Sequence, residues 1–240
     1  MVLLLHVENI SKSYKGKQVL HHINVNVGHG EIVGLVGESG SGKSTLAKII
    51  MQLEQAEQAQ IRFHGTNITK KNRLSFYENC QIIFQNATAA FNPVWTVREI
   101  LTEPLQQQES DSYWKTMLEK VKLSTNILDS FPHELSGGER QRVNLLRAIL
   151  IQPKLLICDE IVSSLDRLIQ REIIDLLISL NKEHSMAILF ISHDLKAVSY
   201  LCQRIYVMKS GEIVDECCKG KNGFTFTDSY AQKLFQAMQN

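Results

Sequence analysis

The chain has 240 residues, enough for one α/β domain with an inserted subdomain and a substantial buried core. It carries 26 basic and 25 acidic residues, for a formal net charge of +1. Nucleic-acid binders usually carry a strongly basic surface, so nucleic acid is excluded as an expected partner. The five cysteines show no Cys-x-x-Cys spacing, which favours reduced thiols in a cytosolic protein over a disulfide framework.

No apolar run reaches the length of a membrane-spanning helix. Residues 1–10 also lack the basic start and the small-residue cleavage site of a signal peptide. We therefore expect a soluble, intracellular chain that reaches a membrane only through a partner. The adjacent Cys217 and Cys218 could suggest a metal site, but without a nearby histidine they make a poor ligand set and are interpreted as incidental thiols.

The first thirty residues predict an antiparallel β layer. Residues 2–10 and 18–27 alternate apolar and polar side chains, as half-buried strands do, and a turn-rich segment joins them. Tyr14 lies in that predicted turn, where an exposed ring could stack on a base, although a single tyrosine more often belongs to ordinary surface or packing. His21 and His22 alternate faces in the second strand and are interpreted as structural.

Residues 31–50 predict a strand, a glycine-rich loop and a helix in succession. An apolar run, Ile32–Val36, breaks at Gly37, and apolar residues recur at helical spacing after Lys43. The loop matches the phosphate-binding pattern G-x-x-x-x-G-K-[ST]. A chance glycine-rich turn is a poor alternative, because the match falls exactly where a strand should give way to a helix.

Each residue type in this loop has a chemical reason. Gly37, Gly40 and Gly42 let successive backbone N–H groups face one anion at the positive end of the following helix. Lys43 supplies a positive charge for the β- and γ-phosphates, and the Ser44 hydroxyl can ligate Mg²⁺. The expected nucleotide contacts are Gly37, Glu38, Ser39, Gly40, Ser41, Gly42, Lys43, Ser44 and Thr45.

Two further apolar segments end in polar side chains. Gln85 follows residues 81–84 and could reach metal or water at the carboxyl edge of a sheet, with a solvated loop residue as an equal alternative. Residues 155–160 end in Asp159 and Glu160. Asp159 suits Mg²⁺, directly or through water, and Glu160 suits orienting or deprotonating an attacking water. Beside a phosphate loop, these carboxylates predict a catalytic site rather than a simple helix start.

His193 follows the last predicted core strand, residues 187–192. A histidine there could donate to a γ-phosphate, or it could cap or pack against a neighbouring element. We favour the first role because the other phosphate-site residues end at the same kind of edge. The pattern also predicts a helix from Ser163–Asp166 to about His184, and another after Asp194.

Residues 86–131 predict a mostly helical insertion, with amphipathic segments at 97–105 and 113–121. It leads into 135–150, where Ser136 is a natural helix cap and Gly137 and Gly138 expose backbone N–H groups. This is a second anion-binding helix end. The first already has its phosphate loop, so the second needs a phosphate from elsewhere.

The C-terminal part predicts a hairpin of strands at 204–208 and 212–216. A polar linker, residues 219–227, leads to a terminal amphipathic helix. The apolar side chains of that helix are Tyr230, Leu234, Phe235 and Met238.

In this order, GESGSGKST, LSGGERQR, LLICDE and ISHD resemble the motifs of the ATP-binding subunits of ABC transporters, over essentially the whole chain. LSGGERQR, residues 135–142, is similar to the signature motif of that family. The resemblance implies an α/β fold, a P-loop NTPase (RecA-like) core with an antiparallel β subdomain and an inserted α-helical signature subdomain. The implied parts of this single domain are a core with its β layer, 1–85 and 152–216, a helical subdomain, 86–151, and a short C-terminal extension, 217–240.

The same resemblance implies ATP and Mg²⁺ as cofactors and a role for each candidate residue. Tyr14 would stack on adenine, Gln85 would link Mg²⁺ and water to the helical subdomain, and Glu160 would be the catalytic base. His193 would be the γ-phosphate switch. The signature residues Ser136, Gly137 and Gly138 would clasp ATP held by a second subunit, which explains the second anion-binding helix end.

Two segments are similar to the peptide, opine and nickel importers of this family, namely residues 82–105 and 228–238. The short tail without a cysteine cluster favours import of nickel or a metal chelate, with di- or oligopeptide import as the alternative. The implied partners are a second ABC ATPase subunit, two transmembrane permease subunits and, indirectly, an extracytoplasmic solute-binding protein. The implied location is the cytoplasmic face of the cell membrane.

The sequence departs from the family pattern in two places. Residues 161–164, Ile-Val-Ser-Ser, stand where Pro-Thr-Ser-Ala is usual, and Asn86–Ala87 replaces Asp-Pro. A soluble ABC protein of DNA repair or translation shares the motifs but usually carries two cassettes or a long coiled coil. An unrelated P-loop kinase has no use for a second γ-phosphate clamp.

Overall fold

The protein is described from a computed structural model that covers residues 2–85, 90–105, 107–163 and 165–237. The strands are β1 Leu3–Tyr14, β2 Lys17–Gly28, β3 Ile32–Val36, β4 Gln58–Phe63, β5 Thr66–Asn67, β6 Cys80–Ile83, β7 Leu155–Asp159, β8 Ala187–Ile191, β9 Arg204–Lys209 and β10 Glu212–Cys218. The helices are α1 Lys43–Ile50, α2 Arg73–Asn79, α3 Val97–Thr102, α4 Asp111–Lys120, α5 Gly137–Ile149, α6 Arg167–His184, α7 Leu195–Leu201 and α8 Ser229–Gln236. Short 3-10 turns lie at Glu103–Leu105, Thr125–Asp129 and Pro132–Glu134.

The strands form two sheets. A four-stranded antiparallel sheet has the order β2-β1-β4-β5, which confirms the predicted β layer. A six-stranded sheet has the order β10-β9-β3-β8-β7-β6, with parallel pairing from β9 to β6 and β10 added antiparallel at the edge. The three central parallel strands, β3, β7 and β8, are short and fully buried, because helices or the other sheet cover both of their faces.

The six-stranded sheet separates two apolar clusters. Along β3, Val33 and Leu35 face the cluster shared with the β layer and α1, whereas Ile32 and Val36 face the cluster built with α6, α7 and α8. A third cluster is formed by residues between Phe91 and Leu150, including the buried Trp114. The inserted segment therefore buries its own apolar side chains around α3, α4 and α5.

Most of the predicted elements are present, and two predictions need correction. The helix predicted to begin at Ser163–Asp166 is confirmed: the Asp166 carboxylate caps it by accepting from the N–H groups of Leu168 and Ile169, both at 3.0 Å, and Arg167 is its first residue. Tyr14 is the last residue of β1 rather than a turn residue.

The linker at 219–227 is not simply polar, since Phe226 is buried against Phe235 of α8 with ring centroids 4.3 Å apart. Helix α2 and strand β5 were not predicted. Met238, predicted on the terminal helix, lies outside the described residues, as do Ser164 and the pair Asn86–Ala87.

One buried charge network ties the hairpin to the start of β3. Arg204, at the first position of β9, donates to both carboxylate oxygens of Glu31 at 2.7 and 2.8 Å. It also donates to Glu216 at 2.7 Å, the Tyr206 hydroxyl at 2.6 Å and the Asn26 carbonyl at 2.9 Å. The hydrogen bonds that Arg204 donates to Glu31, and then the one to Glu216, raise the pKa of Arg204 above its usual range despite its burial.

Among the described residues, no helix combines the length and the apolar character that crossing a membrane requires.

Candidate nucleotide site

The glycine loop, Asp159, Glu160 and His193 lie at one edge of the six-stranded sheet, because the neighbouring parallel strands β3, β8 and β7 end there. Leu35 of β3 and Asp159 of β7 both pair with Ile191 of β8. Backbone bonds continue this register beyond the strands, from the Glu160 N–H to Ile191 O at 2.9 Å and from the Ser192 N–H to Leu35 O at 3.2 Å. The strands therefore end in register, which brings the glycine loop, the two carboxylates and His193 close together.

Two positions of the loop must be glycine, because neighbouring atoms leave no room for a side chain. A Cβ on Gly37 would lie 2.1 Å from the carbonyl oxygen of Met208, and one on Gly42 would lie 2.7 Å from Leu20 Cδ2. Gly42 also has a φ of +108°, in the region that L side chains rarely adopt. The turn after β9 also contacts the loop, since the Gly211 N–H donates to Ser41 O at 3.0 Å.

Lys43 is buried at the start of α1, with only 6% of its surface exposed. Its ammonium group donates to the carbonyl oxygens of Gly37 and Glu38, both at 2.9 Å. Desolvation lowers the pKa of Lys43, and the nearby charges of Glu160 and Asp159 oppose that shift without cancelling it. Among the described residues, Lys43 has no direct carboxylate partner, so it is a buried cation held inside its own loop.

Asp159 and Ser44 bring two oxygen ligands together. The Ser44 hydroxyl donates to Asp159 Oδ1 at 3.1 Å, and Asp159 is 4% exposed. Burial raises the pKa of Asp159, while the Ser44 hydrogen bond opposes the shift. A hydroxyl and a carboxylate at this separation, beside a phosphate-type loop, fit the oxygen ligands that Mg²⁺ prefers.

Glu160 and His193 face each other across the same edge. His193 Nδ1 lies 2.8 Å from Glu160 Oε2, an oxygen that is buried and has no other partner within the described residues. Glu160 has a φ of +55°, an uncommon conformation for a glutamate, and its backbone N–H is tied to β8. The backbone therefore fixes the carboxylate at the sheet edge.

Gln85 reaches this edge from the end of β6. Its side-chain amide donates to Ser163 Oγ at 3.0 Å, and Ser163 Oγ donates to the Glu160 carbonyl at 2.9 Å. The link to the segment after Glu160 was not predicted from the sequence. It depends on a contact between residues 78 positions apart.

A cleft of about 610 Å³ collects most of the predicted residues. Tyr14 lies at this cleft with 42% of its surface exposed and with Lys12 Nζ 4.9 Å from its ring centre. The lining residues are Tyr14, Val19, Ser39, Gly40, Gly42, Lys43, Ser44, Thr45, Gln85, Glu160 and His193. Val19 was missed because only the fold brings β2 over the loop.

The signature residues do not line this cleft. Ser136 caps α5 in a reciprocal arrangement, in which the Glu139 N–H donates to Ser136 Oγ at 3.3 Å and the Ser136 N–H donates to Glu139 Oε2 at 2.8 Å. Hydrogen bonds from Ser136 lower the pKa of Glu139. Gly137 has open space around it, and a Cβ on Gly138 would lie 3.2 Å from Ile169 Cγ2. This exposed helix end is separate from the phosphate loop of the same chain.

The family model described as ABC transporter matches residues 20–163, from β2 through the segment after Glu160. The chain belongs to the ABC transporter family. This ABC chain is an ATPase, and its α/β structure and its structural likeness to solved ABC cassettes confirm the predicted fold class.

A curated relative is the nickel import ATP-binding protein NikE of Escherichia coli (strain K12), 40% identical over 253 aligned positions, which cover 98% of this chain and 94% of the relative. Two solved structures are similar to this ABC ATPase. One is cbiO1 from Clostridium perfringens, part of the ABC transporter complex cbiONQ, with a TM-score of 0.79, 26% identity and coverage of 90% of this chain and 88% of the other.

The second solved structure is the dimeric post-hydrolysis state of the cassette MJ0796 bound to ADP and Pi. It has a TM-score of 0.79, 26% identity and coverage of 89% of this chain and 98% of the other. Dimers and transporter complexes are therefore both represented among the cassettes that this ABC ATPase resembles. ATP is accordingly the nucleotide of this enzyme.

Proposed function

We propose that this ABC ATPase is the subunit that powers the import of nickel, or of a nickel chelate, across a membrane. The observation that carries the proposal is the 40% identity to a nickel import ATP-binding protein over 98% of the chain. Di- or oligopeptide import is the second candidate, because residues 82–105 and 228–238 resemble the peptide importers as much as the nickel importers.

In the proposed site, the loop residues 37–45 bind the phosphates and Tyr14 stacks on adenine. Lys43 exchanges the carbonyl oxygens of Gly37 and Glu38 for phosphate oxygens, which is a favourable exchange for a buried cation. Ser44, Asp159 and Gln85 would hold Mg²⁺, which supplies positive charge against the phosphates. The 3.1 Å contact between Ser44 and Asp159 supports the first two of these ligands.

Glu160 is proposed as the general base that accepts a proton from the attacking water at its carboxylate. Its buried Oε2, 2.8 Å from His193, supports this role, because such an oxygen is oriented and has few competing partners. His193 is proposed to contact the γ-phosphate. When its ring turns from the carboxylate to the nucleotide, Glu160 becomes available for the proton.

Ser136, Gly137 and Gly138 are proposed to contact ATP held by a second ATPase subunit, either another copy or a related chain. The open space around Gly137 and the separation of this helix end from the chain's own cleft support the assignment. Two permease subunits, a solute-binding protein acting through them and a position at the cytoplasmic face of the membrane complete the proposal. We also propose that the chain divides into subdomains as the sequence predicts, since the third apolar cluster lies within 91–150.

The proposal is tested by reconstituting the chain, with the membrane subunits that copurify with it, into liposomes. ATP-dependent accumulation of nickel, absent when Lys43→Ala replaces the wild type, is the expected result. A dipeptide is offered in parallel. Accumulation of the dipeptide without nickel would replace the nickel assignment by peptide import, and copurification with no membrane subunit would contradict the importer itself.

A further inference from the structure

Lys12 of β1 is held by two acceptors on the segment that follows α1. Its ammonium group lies 2.8 Å from the carboxylate oxygen Oε1 of Glu54 and donates to the backbone carbonyl of Gln55 at 2.6 Å. Only 14% of the Lys12 side chain is exposed. A lysine with two acceptors and little exposure has lost most of the rotamer freedom of a surface lysine, so its charge has a defined position.

The segment that carries these acceptors is fixed to β1 by two further hydrogen bonds. The Ser13 N–H donates to Glu57 Oε1 at 2.9 Å, and the Glu57 N–H donates to Ser11 O at 3.0 Å. Neither bond involves the side chain of Lys12. A change of that side chain alone should therefore leave the segment in place.

The ammonium group of Lys12 also contacts the ring of Tyr14. Side chains two positions apart on a strand point to the same face, and the distance from Lys12 Nζ to the ring centre of Tyr14 is 4.9 Å. A cation within about 6 Å of a ring centre is attracted to the electron-rich face of the ring. This attraction favours one orientation of the Tyr14 ring, although 42% of the residue is exposed.

Tyr14 lines the nucleotide cleft, whereas Lys12 is not among the described residues that line it. The lysine is therefore placed to act on the ring and not on a ligand in the cleft. A stack between an aromatic side chain and a base contributes to affinity only after the cost of ordering the side chain has been met. A ring that is already oriented in the free protein has less entropy to lose when the base binds.

We infer that Lys12 is a positioning residue for the adenine base of ATP. Held by Glu54 and Gln55, it fixes the ring of Tyr14 in the orientation that stacks on the base. It thereby raises the affinity for ATP through the base and not through the phosphates. The inference rests on the proposed role of Tyr14 in adenine stacking.

The test compares Lys12→Met with the wild-type chain and uses ATP and inorganic triphosphate as probes. Methionine keeps much of the aliphatic stem and loses the charge. The lost contact between cation and ring predicts roughly a 2- to 5-fold rise in the Kd and the KM for ATP, with kcat near the wild-type value. The Kd for triphosphate should not change, because triphosphate has no base. An equal rise for both probes would overturn the inference.

A double substitution shows whether Lys12 acts through Tyr14. In a Tyr14→Leu chain, which has no aromatic ring at this position, Lys12→Met should cause no further rise in the Kd for ATP. A further rise as large as in the wild-type background would contradict the inference. Lys12→Arg keeps the positive charge, so its Kd for ATP should lie close to that of the wild type. A loss as large as that of Lys12→Met would mean that the charge does not position the ring.

Lys120→Met is the matched control, because Lys120 of α4 forms an ion pair with Glu183 at 3.0 Å. Each of the two substitutions removes one positive charge and one ion pair, so both should lower the Tm by similar small amounts. Only Lys12→Met should raise the KM for ATP. A lower Tm with an unchanged KM in Lys12→Met would leave Lys12 with a structural role alone.

The single substitution Tyr14→Leu separates the two levels of inference. If Tyr14→Leu binds ATP as the wild-type chain does, the proposed stacking of Tyr14 is wrong. If Tyr14→Leu loses affinity while Lys12→Met keeps the Kd and KM of the control, the stacking assignment stands and the role of Lys12 is overturned.

Discussion

The two ends of strand β3 hold buried cations in opposite ways. At one end, Arg204 makes hydrogen bonds to Glu31 and Glu216, to a tyrosine hydroxyl and to a carbonyl, and its pKa is raised. At the other end, the partners of Lys43 within the described residues are two loop carbonyls, with the charges of Glu160 and Asp159 nearby, and its pKa is lowered. The chain satisfies the first cation with carboxylates and the second with neutral carbonyl oxygens.

The different partners of Arg204 and Lys43 indicate that the first residue serves stability and the second serves activity. A buried ion pair with all its hydrogen bonds made serves the fold, and removing one partner leaves an uncompensated charge. A buried cation with weak internal partners, next to a buried carboxylate whose pKa is raised, indicates a site for a charged substrate. Substitutions at the Arg204 end should therefore lower the free energy of unfolding, and substitutions at the Lys43 end should lower ATPase activity.

The largest effect is expected at the nucleotide end. Glu160→Gln removes the proposed general base while it keeps the size and the backbone contacts of the residue, so kcat should fall by about 10²- to 10⁴-fold with ATP binding retained. Steady-state ATPase assays and nucleotide titration measure both quantities. Glu119→Gln, at an exposed position of α4, is the control. Turnover near the wild-type rate in Glu160→Gln would remove Glu160 from its role.

The next effect concerns the other end of β3. Arg204→Met leaves Glu31, which is 6% exposed, without its cation, so the free energy of unfolding should fall by about 3–5 kcal/mol. Urea denaturation measures the loss, and Arg73→Met, an exposed change in α2, should shift stability by less than about 0.5 kcal/mol. The folded fraction of Arg204→Met should keep the KM for ATP. A large rise in that KM with unchanged stability would mean that the two ends are not separable.

The smallest effect concerns the signature helix. Ser136→Ala and Ser110→Ala each remove a serine that caps a helix, α5 or α4, and each should cost about 1 kcal/mol of stability. Only Ser136→Ala should weaken ATP-driven association with a second ATPase subunit, measured by sedimentation in the Glu160→Gln background. Equal association in the two variants would contradict the proposed contact with a partner's ATP.

Local patterns predicted the elements that depend on neighbouring residues. The strand, loop and helix of 31–50 and the capped start of α5 were confirmed, because a glycine loop between two apolar patterns, or a serine before two glycines, is defined within a few positions. The sequence predicted the start of α6 as a short range, because Ser163 and Asp166 are both good caps. Only the folded chain shows that Asp166 is the cap and that Ser163 contacts Gln85 and the Glu160 carbonyl.

The sequence by itself determined the family, the strand, glycine loop and helix of residues 31–50, and the order of the residues that end at one sheet edge, since short motifs define all of these. The tertiary structure decided which distant residues meet. Arg204 binds Glu31 across 173 positions, and Gln85 contacts Ser163 across 78 positions. No local pattern encodes such contacts, because burial and partner choice arise only when the sheets and helices pack together.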